Sequence, residues 1–310
     1  MSGPIRLGTR ASRLALTQSG QVARRLRELS GRDVELVHVH SQGDQDQRTP
    51  LARLGGTGVF VTALRAALLD GTCDVAVHSL KDLPTEPVEG LTHVTPTRVD
   101  PRDALCARDG LTLDALPPGA RVGTGSPRRA CQLAALRPDV EIVDLRGNVD
   151  TRLARAQGPA ADLDAVVLAL AGLTRLGLDD SVTEAFDAAR FVPAPGQGAL
   201  AVETRAAEAT GGGCLAEALA ALDDRPTGLA VRAERQVLAT LETGCSAPLG
   251  AHAQVVGDQL WLVAVAAKPG GGLARVELSH PLDDGRALEA AAAVGARVAE
   301  ALRDQGVGDD

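Results

Sequence analysis

Short β-rich runs alternate with helical segments along roughly the first 200 residues, and this alternation limits the fold more than any other feature of the sequence. The runs that predict strands are 3–7, 34–40, 74–78, 122–126, 140–145 and 165–170. The segments that predict helices between them are 12–29, 59–69, 127–136 and one that begins near 149. Because strands that alternate with helices form βαβ units, we predict α/β domains with parallel strands.

The pattern starts again near residue 101 and changes character after Gly211-Gly212-Gly213. A strand at 199–203 is expected to return to the first unit. Beyond the glycines the sequence predicts a small α+β domain, with a helix at 229–241, an antiparallel three-stranded sheet at 251–256, 260–266 and 274–280, and a helix at 287–302. We therefore predict three domains: α/β domain 1 at 1–98 and 199–220, α/β domain 2 at 101–193, and the α+β domain at 222–310.

The composition argues against nucleic acids and membranes as partners. A net charge of −8 repels DNA, anionic lipid and acidic metabolites, so an acidic substrate needs a locally basic cleft. Aromatic residues, at 1% of the chain, offer no platform for stacking bases. No apolar run approaches the roughly 20 residues that span a bilayer, and residues 1–10 contain no signal-peptide core. We expect a cytoplasmic monomer.

The five cysteines are scattered without a C-x-x-C pair, and the six histidines do not cluster with them. The sequence therefore predicts neither a disulfide framework nor a metal site. Cys245 stands apart because Gly244 precedes it and Pro248 follows, which is typical of a tight loop. A cysteine in this position is either a buried small hydrophobe or a reactive thiol that serves as nucleophile or attachment point.

The loop at 123–129, Gly-Thr-Gly-Ser-Pro-Arg-Arg, is the most informative stretch of the sequence. Ser126 is a good helix cap, Pro127 suits the first helical position, and helix N-termini bind anions. Arg128 and Arg129 add forked donors suited to carboxylate or phosphate. A Walker loop is excluded because no Gly-Lys-Ser/Thr follows, and the dinucleotide fingerprint is weak because Arg128 replaces its third Gly. A capped helix with solvated arginines is the alternative.

Similar junctions recur elsewhere in the chain. Arg10 and Ser12 follow the first strand, Arg146 and Arg152 flank the start of a later helix, and Arg175 follows the buried strand at 165–170. Any one of them alone is typical of a surface ion pair, but several together favour an anion-binding cleft.

Lys81-Asp82 comes just after a strand and before Leu-Pro. An aspartate at this place either forms a turn or is a carboxylate held inside a basic cleft, where it can accept N–H protons or stabilise a cation.

Together these residues resemble the porphobilinogen deaminase (hydroxymethylbilane synthase) family. The resemblance runs in order across nearly the whole chain, through Asp74-Val-Ala-Val-His-Ser-Leu-Lys-Asp-Leu-Pro84 and the stretches 7–16, 55–60, 101–104, 123–129, 145–149, 170–177, 193–199 and 244–245. It implies two α/β domains around a cleft, like type II periplasmic binding proteins, and a third domain that carries Cys245. It also implies a dipyrromethane cofactor bound as a thioether to Cys245. The implied reaction deaminates four porphobilinogen units, joins them head to tail and releases hydroxymethylbilane for tetrapyrrole synthesis.

The resemblance implies specific site residues as well. Asp82 falls at the catalytic aspartate, with Asp44 and Phe60 near the site. The residues implied to bind cofactor and substrate are Arg10, Ser12, Gln18, Ser79, Lys81, Thr124, Ser126, Arg128, Arg129, Arg146, Arg152, Arg175 and Gln197. Three positions depart from the pattern: Thr57 replaces a frequent Lys (Arg53 is nearby), Pro127 a frequent Leu, and Arg13 a frequent Pro.

Two other functions are compatible with parts of the sequence. A carboxylate-binding module of the periplasmic-binding type without catalysis would use the same basic loops but gives Cys245 no role. A different thiol enzyme would pair Cys245 with His252, although His252 is expected in a strand.

Overall fold

The predicted alternation of strands and helices is present in the computed structural model, which describes residues 3–39, 58–241, 248–282 and 285–308. The strands are β1 (Ile5–Thr9), β2 (Val34–His38), β3 (Val75–Ser79), β4 (Leu91–Val94), β5 (Asp103–Ala107), β6 (Arg121–Gly123), β7 (Glu141–Val143), β8 (Ala165–Ala169), β9 (Glu184–Ala185), β10 (Leu200–Arg205), β11 (Leu249–Val256), β12 (Gln259–Ala267) and β13 (Leu273–Pro281). The helices are α1 (Arg13–Ser30), α2 (Gly58–Leu69), α3 (Pro127–Leu136), α4 (Val149–Gln157), α5 (Leu170–Leu176), α6 (Ala206–Thr210), α7 (Cys214–Leu222), α8 (Arg225–Leu241) and α9 (Ala287–Arg303).

The chain divides into two compact units. Unit 1 comprises Met1–Arg98 and Ala199–Gly228, and unit 2 comprises Val99–Gly198 and Leu229–Asp310. The finer division into three domains stays a prediction. Among the described helices, none is both long and apolar enough to cross a membrane.

Unit 1 contains a mixed sheet with the strand order β2-β1-β3-β10-β4. β1 pairs in parallel with β2 and β3, whereas β10 is antiparallel to both β3 and β4. The sequence correctly places the returning strand in this sheet but predicts only parallel pairing. β10 is separated from β3 by all of β4 to β9, so no single βαβ crossover joins the two strands and the local pattern does not set the direction of β10. Ile5, Leu7, Leu26, Val75 and Val202 form part of the core beneath the sheet.

Unit 2 contains a second mixed sheet with the order β7-β6-β8-β5-β9. β6 is parallel to β7 and β8, and β5 is antiparallel to β8 and β9. The sequence analysis missed β5, β9 and also β4 of unit 1. β5 carries Asp103, Ala104 and Ala107, and these residue types are weak strand formers, so burial between neighbouring strands decides the structure.

The C-terminal part of unit 2 is the predicted antiparallel sheet, ordered β11-β12-β13, with α8 and α9 in its core. Alanine and glycine replace aromatics here and let the helices approach closely: a Cβ on Gly295 would lie 2.3 Å from the Ala233 carbonyl oxygen. Trp261, the only tryptophan of the chain, lies on β12 and donates its indole N–H to Glu277 at 2.8 Å. The prediction of two α/β sheets and a small α+β domain is confirmed.

Candidate functional site

The first group of predicted site residues lies at the β1–α1 junction of unit 1. Ser12 caps α1 as predicted, because its side chain accepts a hydrogen bond from the Ala15 amide at 3.3 Å. Gln18, buried one turn later, donates to the Ser79 hydroxyl at the end of β3, with a distance of 3.0 Å. Arg10 is half-buried at the end of β1. The junction thus brings Gln18 and Ser79, both predicted site residues, into contact.

Asp82 closes a single 3-10 turn, Leu80–Asp82, directly after β3. The turn is anchored by the buried side chains of Leu80 and Leu83 and by a 3.0 Å hydrogen bond from the Leu80 amide to the Ala199 carbonyl oxygen. Lys81 and Asp82 are half-buried. Within the described part of the chain, no residue forms a hydrogen bond or ion pair with the Asp82 carboxylate. The turn is thus anchored to its surroundings, while the Asp82 carboxylate is available to a ligand as far as the described residues show.

A buried ion network lies beneath this turn and was not foreseen from the sequence. Glu203 of β10 contacts His78 Nε2 at 3.1 Å and Arg65 Nη2 at 3.0 Å. Burial alone would raise the pKa of Glu203, but its close contact with His78 and its hydrogen bonds from Arg65 outweigh burial and hold that pKa below its usual value. His78 immediately precedes Ser79, so the network fixes the strand that leads to Asp82.

The β6–α3 loop of unit 2 has the predicted geometry. Ser126 caps α3 through the Arg129 amide, and Pro127 takes the first helical position. Thr124 Oγ1 accepts from the Ser126 amide at 3.2 Å, so both predicted hydroxyls shape the loop. Gly125 allows a close approach, since a Cβ there would lie 2.3 Å from the Leu145 carbonyl oxygen.

Arg128 and Arg129 are buried rather than solvated, with relative exposures of 3% and 6%. Both bind the fully buried Asp103 of β5, with N–O distances of 2.7 Å each. Gln197 donates to the same carboxylate at 2.8 Å. Burial would raise the pKa of Asp103, but the two guanidinium groups hold it far below its usual value. The alternative of solvated arginines is therefore wrong. We call Asp103, Arg128, Arg129 and Gln197 the Asp103 cluster.

The remaining predicted arginines of unit 2 differ in environment. Arg146 is 64% exposed and lies 3.6 Å from Asp144. Arg152 is half-buried, and its Nε donates to the Gly147 carbonyl at 2.7 Å. Arg175, in the last turn of α5, donates Nη2 to the Gly198 carbonyl, while its buried Nε has no hydrogen-bond partner among the described residues. Burial lowers the pKa of Arg175 to about 10.

Positive charge in this part of unit 2 exceeds the negative charge that faces it. Burial lowers the pKa of Arg129 and of Arg152, and Arg152 is close enough to Arg129 to lower the pKa of Arg129 further. Arg175 Nε, which has no hydrogen-bond partner among the described residues, and the surplus of guanidinium groups fit a bound group that carries several carboxylates. A dipyrromethane with acidic side chains is such a group.

Several predicted positions cannot be placed in this geometry. Cys245, Asp44, Arg53 and Thr57 lie outside the described residues, as does the side chain of Phe60. Burial raises the pKa of Cys73 to about 11 and that of Cys106 to about 12, so neither is a thiolate at neutral pH. Among the described residues no cluster of His, Cys, Asp and Glu could hold a metal ion.

The comparisons with known proteins agree with the resemblance seen in the sequence. The family model "Porphobilinogen deaminase, dipyromethane cofactor binding domain" matches residues 5–211, and "Porphobilinogen deaminase, C-terminal domain" matches residues 228–304. The chain belongs to the porphobilinogen deaminase family. The porphobilinogen deaminase of Leifsonia xyli is 52% identical over 99% of this chain and 94% of its own, and that of Cutibacterium acnes is 54% identical over 98% and 96%.

Among solved structures, this deaminase-family chain is similar to a periplasmic substrate-binding protein from Coxiella burnetii, which is 16% identical. The alignment covers 72% of this chain and 93% of the other, with a TM-score of 0.42. Family membership supports the transferase over a binding module without catalysis. His252, the proposed partner of a different thiol enzyme, lies in β11 and is only 2% exposed.

Proposed function

We propose that this chain joins four porphobilinogen molecules head to tail on a dipyrromethane bound as a thioether to Cys245, and releases hydroxymethylbilane. The observation that carries this proposal is the surplus of buried and half-buried guanidinium groups in unit 2 of a chain whose net charge is −8. Burying a cation is costly unless an anion compensates it. A growing chain of pyrroles, each with an acetate and a propionate, supplies those anions.

The bound dipyrromethane supplies the free pyrrole α-carbon to which the first substrate is joined. Each addition would break the substrate C–N bond, release ammonia and a proton, and form one C–C bond, so that a cationic methylene-pyrrole would arise on the substrate before that bond forms. The protein must therefore stabilise a transient cation and hold carboxylates in place.

Asp82 is proposed to stabilise the cationic pyrrole and to accept its N–H. Its carboxylate is half-buried, sits on an anchored turn and has no bonding partner among the described residues. A preorganised carboxylate that is not neutralised by the protein is suited to a charge that develops during reaction.

The arginines are proposed to bind the substrate carboxylates. Even with its pKa lowered to about 10, Arg175 stays protonated at neutral pH. Arg146 and Arg152 bracket the N-terminus of α4, where Asn148 caps the helix and the dipole favours anions. The proposed partner is porphobilinogen alone. We further propose that the protein is a cytoplasmic monomer that binds neither nucleic acid nor membranes.

Intact-mass measurement with activity assays tests the proposal. The purified chain should exceed its sequence mass by about two pyrrole units. Cys245→Ser should abolish the excess, and Cys214→Ser, the control, should retain it. Asp82→Ala should keep the excess but lose at least about a hundredfold in turnover, because a charge that stabilises the transition state is gone. Asp180→Ala, at an exposed position, should keep both.

A bare mass in chains that nevertheless convert porphobilinogen would contradict the thioether to Cys245. Near-normal turnover of Asp82→Ala would remove Asp82 from the reaction.

A further inference from the structure

Glu234 on α8 is fully buried, and its carboxylate links two separate parts of unit 2. Oε2 accepts the Gly196 amide at 2.6 Å, and Oε1 accepts the Ala253 amide of β11 at 2.8 Å. His252 Nδ1 lies 3.4 Å from Oε1. Since the two oxygens accept hydrogen bonds from backbone amides of different segments, the carboxyl group acts as a bracket between β11 and the chain around Gly196.

Residues 192–198, which we call the connecting segment, contact both Glu234 and the Asp103 cluster. The Val192 carbonyl accepts from Arg128 Nη1 at 2.8 Å, and Gln197 Nε2 donates to Asp103 Oδ1 at 2.8 Å. The connecting segment therefore contacts the Asp103 cluster near both ends of the segment, and Glu234 binds the segment at Gly196.

The connecting segment needs anchors from outside because its own backbone offers few. Pro193 and Pro195 have no amide N–H, and Gly196 and Gly198 have φ values of +74° and +86°. A second anchor is the 2.9 Å bond from the Ala251 amide to the Pro193 carbonyl. Close packing adds a third, since a Cβ on Gly250 would lie 2.5 Å from the Val192 carbonyl oxygen.

We propose that Glu234 is a positioning residue for the reaction: through Gly196 it fixes the connecting segment, and thereby the placement of Gln197, Asp103 and Arg128. Glu234 does not touch the substrate in this proposal. Its effect on substrate binding rests on the proposed function of the arginines, whereas its effect on the connecting segment does not.

The variant Glu234→Gln tests the proposal because the two backbone N–H groups bond different oxygens of Glu234, and an amide keeps only one acceptor oxygen. We expect the apparent KM for porphobilinogen to rise about tenfold while kcat changes by less than about threefold, since misplaced binding groups weaken binding before chemistry. Amide exchange in 191–198 should accelerate at least about tenfold, measured by hydrogen–deuterium exchange on the purified enzyme.

Val298→Ala is the matched control. Val298 is buried in the core shared by α8, α9 and the C-terminal sheet, so its truncation destabilises the same region. It should lower the thermal midpoint while leaving KM and the exchange of 191–198 within about twofold of the parent. An equal rise in KM or exchange in Val298→Ala would reduce Glu234 to a purely structural role and overturn the proposal.

A double-mutant cycle that combines Glu234→Gln with Gln197→Leu tests whether Glu234 acts through the connecting segment. If Glu234 acts through the connecting segment, the two changes should raise KM together by much less than the product of their single effects. Full additivity, or unchanged exchange in Glu234→Gln, overturns the inference. If the parent chain converts no porphobilinogen, the proposed function fails, and the exchange data alone decide whether Glu234 holds the segment.

Discussion

At the scale of single residues, Asp103 determines how three predicted binding residues are held. Its carboxylate receives Arg128, Arg129 and Gln197, and all four side chains are almost completely buried. The residue types in the β6–α3 loop predicted anion binding, but nothing in the sequence near them indicated that an internal anion already lies between the arginines. Any external carboxylate must therefore bind donors that Asp103 leaves unused, such as Nε of Arg128.

Asp103→Asn should destabilise unit 2 by about 3–5 kcal/mol, because it leaves two buried guanidinium groups without a counter-charge. Urea unfolding at neutral pH measures the change. Asp100→Asn is the control: Asp100 also pairs with an arginine, Arg102, but both side chains are more than a third exposed, so the loss should stay below about 1 kcal/mol. Equal losses in the two variants would show that the cluster is not held by charge.

At the scale of secondary-structure elements, local signals predicted well those elements whose ends carry caps. α3 begins at Pro127 after Ser126 as expected, α1 follows Ser12, and β10 joins the first sheet. β5 and the contact between its Asp103 and α3 could not be predicted, because the order β8-β5-β9 is a property of the whole sheet and leaves no local pattern. The Glu203–His78–Arg65 network could not be predicted for the same reason, because its three residues lie on β10, β3 and α2.

The element that most limits substitution is the β6–α3 loop. Gly125→Ala should push this loop away from Leu145, with a stability loss of about 1–3 kcal/mol and a smaller fraction of chains that carry the cofactor. Urea unfolding and intact mass measure the two effects. Gly20→Ala in α1, where no atom lies within 4 Å of the new Cβ, should instead gain up to about 1 kcal/mol. A neutral Gly125→Ala would show that the loop can relax without cost.

At the scale of the whole molecule, buried carboxylates make stability depend on pH. The pKa values of Asp74, Asp103 and Glu203 lie below their usual values, because arginine or histidine partners outweigh the effect of burial. A carboxyl with a lowered pKa in the folded state contributes stability above its unfolded pKa and loses it as the pH falls through the folded value.

The urea midpoint should therefore change little from pH 7 to about pH 5 and then fall steadily on acidification. Glu203→Gln should lower the midpoint at neutral pH and make the acid-induced fall shallower. Glu217→Gln, an exposed control on α7, should reproduce the parent curve. A Glu203→Gln curve parallel to the parent below pH 5 would contradict the role of this buried carboxylate.

The position of Trp261 decides what an optical experiment on this protein can see. The chain has no tyrosine, and its one indole lies on β12, bonded to Glu277. Intrinsic tryptophan fluorescence therefore reports on the C-terminal sheet, and unfolding of the unit 1 sheet alone should not change this signal. Far-ultraviolet circular dichroism records both, so comparing the two signals separates the unfolding of one region from that of the other without any added label.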